Sequence, residues 1–278
     1  MSRAGIRLFM IGLIVYFFVP FWWLLVSSTK SSKNLFDSAA FWFSAPGSVV
    51  DNLRELFTQQ GHAYLHWMGN TVVYSILGGA GATAIATLAG YSFAKFTFPG
   101  RRLLFSALLG MIMVPATALV IPTYLLLSKV HLTDTIWAVI LPSLLNPFGV
   151  YLVRVYVQES VPNELLEAAR IDGAGEIRTF ARVALPVIKP ALVTVLLFSM
   201  VATWNNFFLP LVMLSDDKLY PLTVGLQSWL QAATIQSGNQ VLFNLIITGS
   251  LVSILPLVIT FLLLQRYWRG GLTLGSLK

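Results

Sequence analysis

The side chains best able to do chemistry are few in this chain, and their spacing builds no active site. His62 and His66 stand four apart and could share a helix face. Two histidines at that spacing can hold zinc, but no third ligand accompanies them, so a solvated or interfacial pair is the simpler reading. There is no cysteine, which excludes a disulfide and a thiolate metal site. Gly78, Gly79, Gly81 and Gly90 lie in an alanine-rich run. A phosphate loop would need a strand before them and a Lys-Ser/Thr after them, and neither is present. Small residues of this kind instead let helix backbones approach closely in lipid. Trp204, Asn205 and Asn206 sit inside an otherwise apolar block. The two amides could both donate to and accept from a hydroxyl-bearing ligand, and Trp204 could offer an apolar face. The alternative is that they bond neighbouring helices, each contact contributing roughly 1 kcal/mol in a membrane.

The elements that must position these residues are long apolar blocks. Hydrophobic residues make up 56% of the 278 and charged ones 10%, against about 25% charged in soluble domains. Leu8–Val26, Thr71–Ala94, Leu103–Leu127, Ile136–Val157, Leu192–Leu214 and Val241–Leu264 each suffice to span a hydrocarbon core, which takes about 20 helical residues. They do not alternate as barrel strands do. The first block is longer than the apolar core of a secretory signal and carries Phe17, Phe18, Phe21, Trp22 and Trp23, so it reads as a retained helix. The expected fold is therefore all-α, six transmembrane helices in a single domain over 1–278.

Charge sets the expected orientation. Of the 18 basic residues, only Lys30, Lys33, Arg54, Lys129 and Lys218 fall on the side opposite the N-terminus. By the positive-inside rule both termini are expected in the cytoplasm. The net charge of +7 follows from this bias, and no basic run with interleaved aromatics suggests nucleic acid. Pro115, Pro122, Pro142, Pro147, Pro210 and Pro256 lie within or beside the blocks. Broken backbone at membrane depth is tolerated where it is buried in protein or lines a cavity, which favours a transport path over an inert anchor. The outer segment Ser27–Gly69, with Phe41, Trp42, Phe43, Pro46 and Trp67, is expected to hold short interfacial helices.

The segment between the fourth and fifth blocks, residues 158–190, has helix signals at both ends. Ser160 and Asn163 are candidate N-caps, Pro162 suits a first turn, and Glu164 and Glu167 suit a helix N-terminus. Gly173 is expected as a left-handed stop. A second short helix from about Glu176 is expected to end before Pro186. Leu165, Ala168, Ala169 and Ile171 would provide an apolar patch, which by composition alone also fits a surface amphipathic helix.

The spacing of this segment resembles a known motif. Glu167-Ala168-Ala169, three residues, Gly173, nine residues, Val183, one residue, Leu185-Pro186 is similar to the EAA loop of ABC importer permeases, with Val183 where the family usually has Ile. Gly90-Tyr-Ser-Phe-Ala-Lys-Phe-Thr-Phe-Pro-Gly-Arg, Trp204-Asn205-Asn206-Phe207 and the tail from Arg266 resemble the carbohydrate branch, in particular its second, maltose-type permease. Many members carry an acidic residue at the Asn206 position.

The resemblance implies a type I importer permease in a bacterial or archaeal inner membrane, carrying a sugar or oligosaccharide. It implies a second homologous permease, a dimer of cytoplasmic ATP-binding subunits and an extracytoplasmic solute-binding protein as partners. Glu167, Ala168, Ala169, Asp172, Gly173, Leu185 and Pro186 would couple to the ATPase, which would bind ATP and Mg. This chain has no Gly-x4-Gly-Lys-Ser/Thr motif and is expected to be non-catalytic, with no cofactor of its own. An ion-gradient-driven secondary transporter is the main alternative, but it would place ionisable residues inside the spans. An intramembrane protease would need a Ser/His, paired-Asp or zinc constellation there, and none is found.

Overall fold

A computed structural model describes residues 3–44, 48–235 and 240–269. Pro46 and the tail beyond Arg269 lie outside the described residues. The first apolar block forms α1 (Arg3–Ser28), whose residues 8–21 are all exposed, as a lipid-facing helix requires. A short α2 (Ser32–Asp37) follows, its N-cap Ser31 hydroxyl accepting from the Asn34 N–H. The next element, α3 (Ser48–Lys95), is interrupted at Gln59–His62, where Gln60, Gly61 and His62 take left-handed backbone. His62 sits in that break, with its ring bonded to the Phe57 carbonyl, so His62 and His66 do not share a regular helix face. Among the described residues no group of three metal-ligating side chains occurs.

The third block is not one straight span. It divides into α4 (Arg101–Ile112), a 3-10 turn (Ala116–Leu119) and α5 (Val120–Lys129), the two arms bent by 102°. Pro115, in extended backbone at the bend, lacks the N–H that would continue α4. The fourth block is also broken, into α6 (Trp137–Ser143) and α7 (Pro147–Ser160). Next come α8 (Asn163–Ile171), α9 (Glu176–Thr179), a π-helical turn (Phe180–Ala184), α10 (Leu185–Val187) and α11 (Lys189–Trp204). The expected fifth span stops at Trp204 and resumes as α12 (Phe208–Met213). Pro210 explains the break, since it cannot donate to the Asn206 carbonyl four residues back. Then come α13 (Leu222–Ile235) and α14 (Gln240–Arg269).

Among the described residues, four helical stretches are long and apolar enough to cross a membrane, and six are if each bent pair counts as one span. The chain forms two compact units. One is drawn from Met1–Met68 and Pro221–Pro256, the other from Gly69–Tyr220 and Leu257–Lys278.

The first unit is tied by a buried polar network. The Asn52 amide donates to the carbonyls of Ser28 (2.7 Å) and Lys30 (2.9 Å), and Asn244 donates to Asn52 Oδ1 (2.7 Å). Lys30, fully buried, donates to the Ala39 carbonyl. The Trp67 and Trp229 rings meet edge to face at 4.8 Å, with Gly225 leaving room for Trp67.

The second unit holds the glycine face that the sequence marked. A Cβ on Gly79 would come 2.5 Å from Met200 Cγ, and one on Gly90 would come 2.7 Å from Val153 Cβ. These glycines bring α3 against α11 and α7. Asp134, in the turn between α5 and α6, ties that turn to the segment just after α12 by accepting from the N–H groups of Asp216 and Ser215, which hold its carboxyl below the usual carboxylate range.

Candidate functional site

Two features of the second unit could carry function: the loop of residues 158–190 and a cavity beside the α11–α12 break. The loop begins where α7 ends at Ser160. Pro162, in extended backbone, is the N-cap of α8 and makes no side-chain cap, so neither Ser160 nor Asn163 fills the capping role expected of them. Leu166 is buried among Val157, Val161, Ala184 and Ile188. Burying one leucine contributes about 2 kcal/mol, enough to fix which face of this short helix points outward. On the outward side Glu167, Ala168 and Asp172 are exposed and Ala169 is half-buried. Leu165 is 41% exposed, Ile171 86% and Ile177 85%, so three apolar side chains face outward from a polar loop.

Gly173 ends α8 with φ +81°, as its residue type suggests. The Gly173 N–H donates to the Arg170 carbonyl at 3.0 Å and the Ala174 N–H to the Ala169 carbonyl at 2.9 Å. These two bonds make the helix stop called a Schellman motif. Across the turn Arg170 pairs in a two-pronged fashion with Glu176, Nε to Oε1 at 2.8 Å and Nη2 to Oε2 at 3.2 Å. That bond raises the Arg170 guanidinium above its ordinary value. Both partners are half exposed, so the pair sets geometry more than stability.

The second arm differs from expectation. It does not end before Pro186 but runs through it: α9 opens into the π-helical turn Phe180–Ala184, then α10 carries Leu185 and Pro186. Pro186 sits in the first turn of α10, where a missing N–H costs little. Leu185 is half-buried against the same core and Pro186 is exposed.

The cavity has a volume of about 450 Å³ and is lined by Ser143, Asn146, Ser199, Thr203 and Asn206, with Phe148 and Phe198 among its apolar members. No lining side chain is charged. Asn146 caps α7 by accepting from the Gly149 N–H at 2.7 Å, and its amide donates to the Ser199 hydroxyl at 2.8 Å. Of the three residues proposed from sequence, only Asn206 lines this cavity. Trp204 is buried, 8% exposed, and Asn205 turns its amide back to the Val201 carbonyl at 2.9 Å. Sequence reasoning passed over Asn146 and Ser199. The signal for Asn146 was present, because Asn followed by Pro is an N-cap and first-turn pair, but it lay in a block read as one continuous span.

Residues 82–269 match the family described as the binding-protein-dependent transport system inner membrane component. The chain belongs to that family. As a permease it is a non-catalytic membrane subunit of an ABC importer. It is 34% identical to the arabinooligosaccharides transport system permease AraQ of Halalkalibacterium halodurans, over 92% of this permease and 89% of that one. It is 32% identical to AraQ of Bacillus subtilis, over 99% and 96%, and 32% identical to the maltodextrin transport system permease MdxG of the same organism, over 91% and 90%. A solved structure of a bacterial ABC transporter involved in alginate import superposes with a TM-score of 0.81, covering 96% of this permease and 99% of that chain. At 21% identity that structure supports the fold alone.

Proposed function

We propose that this permease imports a neutral sugar or oligosaccharide and that the loop of residues 158–190 is where a cytoplasmic ATPase drives it. The observation that carries the reading is the construction of α8: one face anchored by Leu166, the other presenting Leu165, Ala168 and Ile171 outward beside Glu167. Apolar side chains exposed on a charged loop are suited to a partner's groove. Small Ala168 and Ala169 allow close approach there, and Glu167 gives an anion for cationic or amide donors of the partner. Asp172 and Gly173 set the turn, and Leu185 and Pro186 join the second arm to α11.

In this reading two ATPase subunits bind ATP and Mg, and one of them seats α8. A second, homologous permease completes the path, and an extracytoplasmic solute-binding protein delivers the sugar. Both termini lie in the cytoplasm, as the distribution of basic residues favours. The cavity forms part of the path. Its amide and hydroxyl groups match sugar hydroxyls, its uncharged lining suits a neutral ligand, and Phe148 and Phe198 offer faces to a ring. The names of the arabinooligosaccharide and maltodextrin relatives point to the same substrate class.

Ala202 lines the cavity and is exposed. Ala202→Trp is expected to leave the complex assembled and to lower sugar uptake at least tenfold, because the ring projects into the cavity and obstructs it. Unchanged uptake of the sugar bound by the co-purified binding protein would remove the cavity from the path.

The whole reading is tested by a mild-detergent pull-down of the tagged chain from its native membrane. A second permease and an ATPase should co-purify. Recovery of the chain alone, under conditions that preserve a control importer, would favour an independent transporter instead.

A further inference from the structure

The loop is joined to its neighbours by more than the chain itself. At the end of α3, Lys95 reaches the corner between α7 and α8. Its Nζ donates to the Val161 carbonyl at 2.5 Å and to Asn163 Oδ1 at 2.8 Å. Val161 is the C-cap of α7 and Asn163 the first residue of α8. The carbonyls at a helix C-terminus lack intrahelical donors and favour a cation. Pro162 stands between the two acceptors and has no N–H of its own to brace the corner.

One helical turn earlier on the same face of α3, Tyr91 is buried and its ring lies 4.9 Å from that of Phe180. Phe180 opens the π-helical turn of the second arm. So α3 touches both arms of the loop, one by a charged hydrogen bond and one by a ring contact. Further along α3, Gly78 abuts Ser143 and Thr203: a Cβ there would come 2.9 Å from Ser143 Cβ and 3.3 Å from Thr203 Oγ1. Both of those residues line the cavity.

We infer that Lys95 is a positioning residue of the coupling apparatus, clamping the α7–α8 corner to α3 so that displacement of α8 also moves α3 and, through the Gly78 contact, the cavity wall. This rests on the reading of residues 158–190 as the ATPase-driven loop. Without the clamp, the ATPase could still seat α8, but α8 itself would no longer be tied to α3, and the movement would reach the cavity through α7, α11 and the ring contact of Phe180 with Tyr91.

The test uses the complex purified with its native partner subunits. The natural chain has no cysteine, so Ala202→Cys gives a single reporter in this chain for labelling the cavity with a maleimide fluorophore. Labelling is compared with and without ATP and vanadate, alongside ATP hydrolysis. With Lys95 present, nucleotide trapping is expected to change the labelling rate several-fold. Lys95→Met keeps the aliphatic stem but loses the donors. It is expected to shrink that change below twofold while ATP hydrolysis continues, and Lys95→Arg is expected to restore it.

A full labelling change in Lys95→Met would overturn the inference. So would loss of the ATPase from the purified Lys95→Met complex, since Lys95 would then serve docking and not transmission. Gly173→Val in the same assay separates the two levels. If Gly173→Val abolishes the change and Lys95→Met does not, only the clamp fails. If neither alters it, the loop assignment fails with it.

Discussion

Replacing Gly173 by valine is expected to abolish coupled transport while leaving the permease in the membrane at its normal level. The backbone here has φ +81°. A left-handed residue with a Cβ costs roughly 1–2 kcal/mol, and a β-branched one is a genuine outlier. Apart from its two chain neighbours, no atom would lie within 4 Å of the added Cβ, so the effect is conformational and not crowding by packed side chains. Relieving the strain means unwinding the turn. That gives up the Gly173–Arg170 and Ala174–Ala169 bonds and the alignment of Arg170 with Glu176. The exposed patch on α8 would then no longer hold one orientation.

A graded series sharpens the expectation. Asparagine tolerates left-handed backbone better than alanine, and alanine better than valine. Coupled transport should therefore fall in the order Gly, Asn, Ala, Val, measured as sugar uptake per ATP hydrolysed, with membrane abundance constant on immunoblots. Full coupling in the valine variant would show that the turn has no part in the drive.

Gly90→Leu is expected to act differently, by preventing the second unit from packing. Gly90 faces α7 at a point with no slack. Its added Cβ would lie 2.7 Å from Val153 Cβ, 2.8 Å from Val153 Cγ1 and 2.9 Å from the Val150 carbonyl. Val153 is fully buried and Val150 nearly so. Two of the obstacles are a β-branched side chain and one is backbone, so neither a rotamer change nor a flexible side-chain end relieves them. Overpacking of this kind costs typically 1–3 kcal/mol, and leucine adds three carbons beyond the Cβ. The variant should accumulate several-fold less in the membrane and melt at lower temperature in detergent. Gly110→Leu is the control, because a Cβ there meets nothing within 4 Å. Equal abundance and melting of the two variants would mean that the α3–α7 contact does not set stability.

The contrast between these glycines also shows what the sequence discloses. Composition and block length were enough for an all-α membrane chain, and the Gly173 stop followed from residue type and position. The breaks within the third, fourth and fifth blocks do not follow from the sequence, although Pro115, Pro147 and Pro210 lie at or beside them. A proline removes one donor, but whether the chain then bends by 102° or continues with a kink depends on what packs on either side. Pro186 misled in the opposite sense. Read alone it signals a stop, while the wider π turn before it places it in a first turn that needs no donor.

At the cavity, Asn206 was legible because a polar residue in an apolar block is conspicuous. Trp204 and Asn205 were equally conspicuous but turn elsewhere, since α11 ends between them and the direction of each side chain is set by that end. Lys95 falls in the segment from Gly90 that resembles the carbohydrate branch, but its partners are not legible there, because its acceptors lie 66 and 68 residues away.

The buried amides of the first unit impose an order on biogenesis. Asn52 and Asn244 are 192 residues apart, and translation proceeds at about 5–20 residues per second. For roughly 10–40 s after Asn52 leaves the ribosome, its side-chain carbonyl has no Asn244 to bond. Until then water at the outer face can bond that carbonyl, and burying it without a partner would cost about 1–3 kcal/mol, so this part of the first unit closes only once α14 has arrived. A chain truncated before Asn244 would retain every residue of α1 to α13 and still leave the Asn52 side-chain carbonyl without the donor that closes the network.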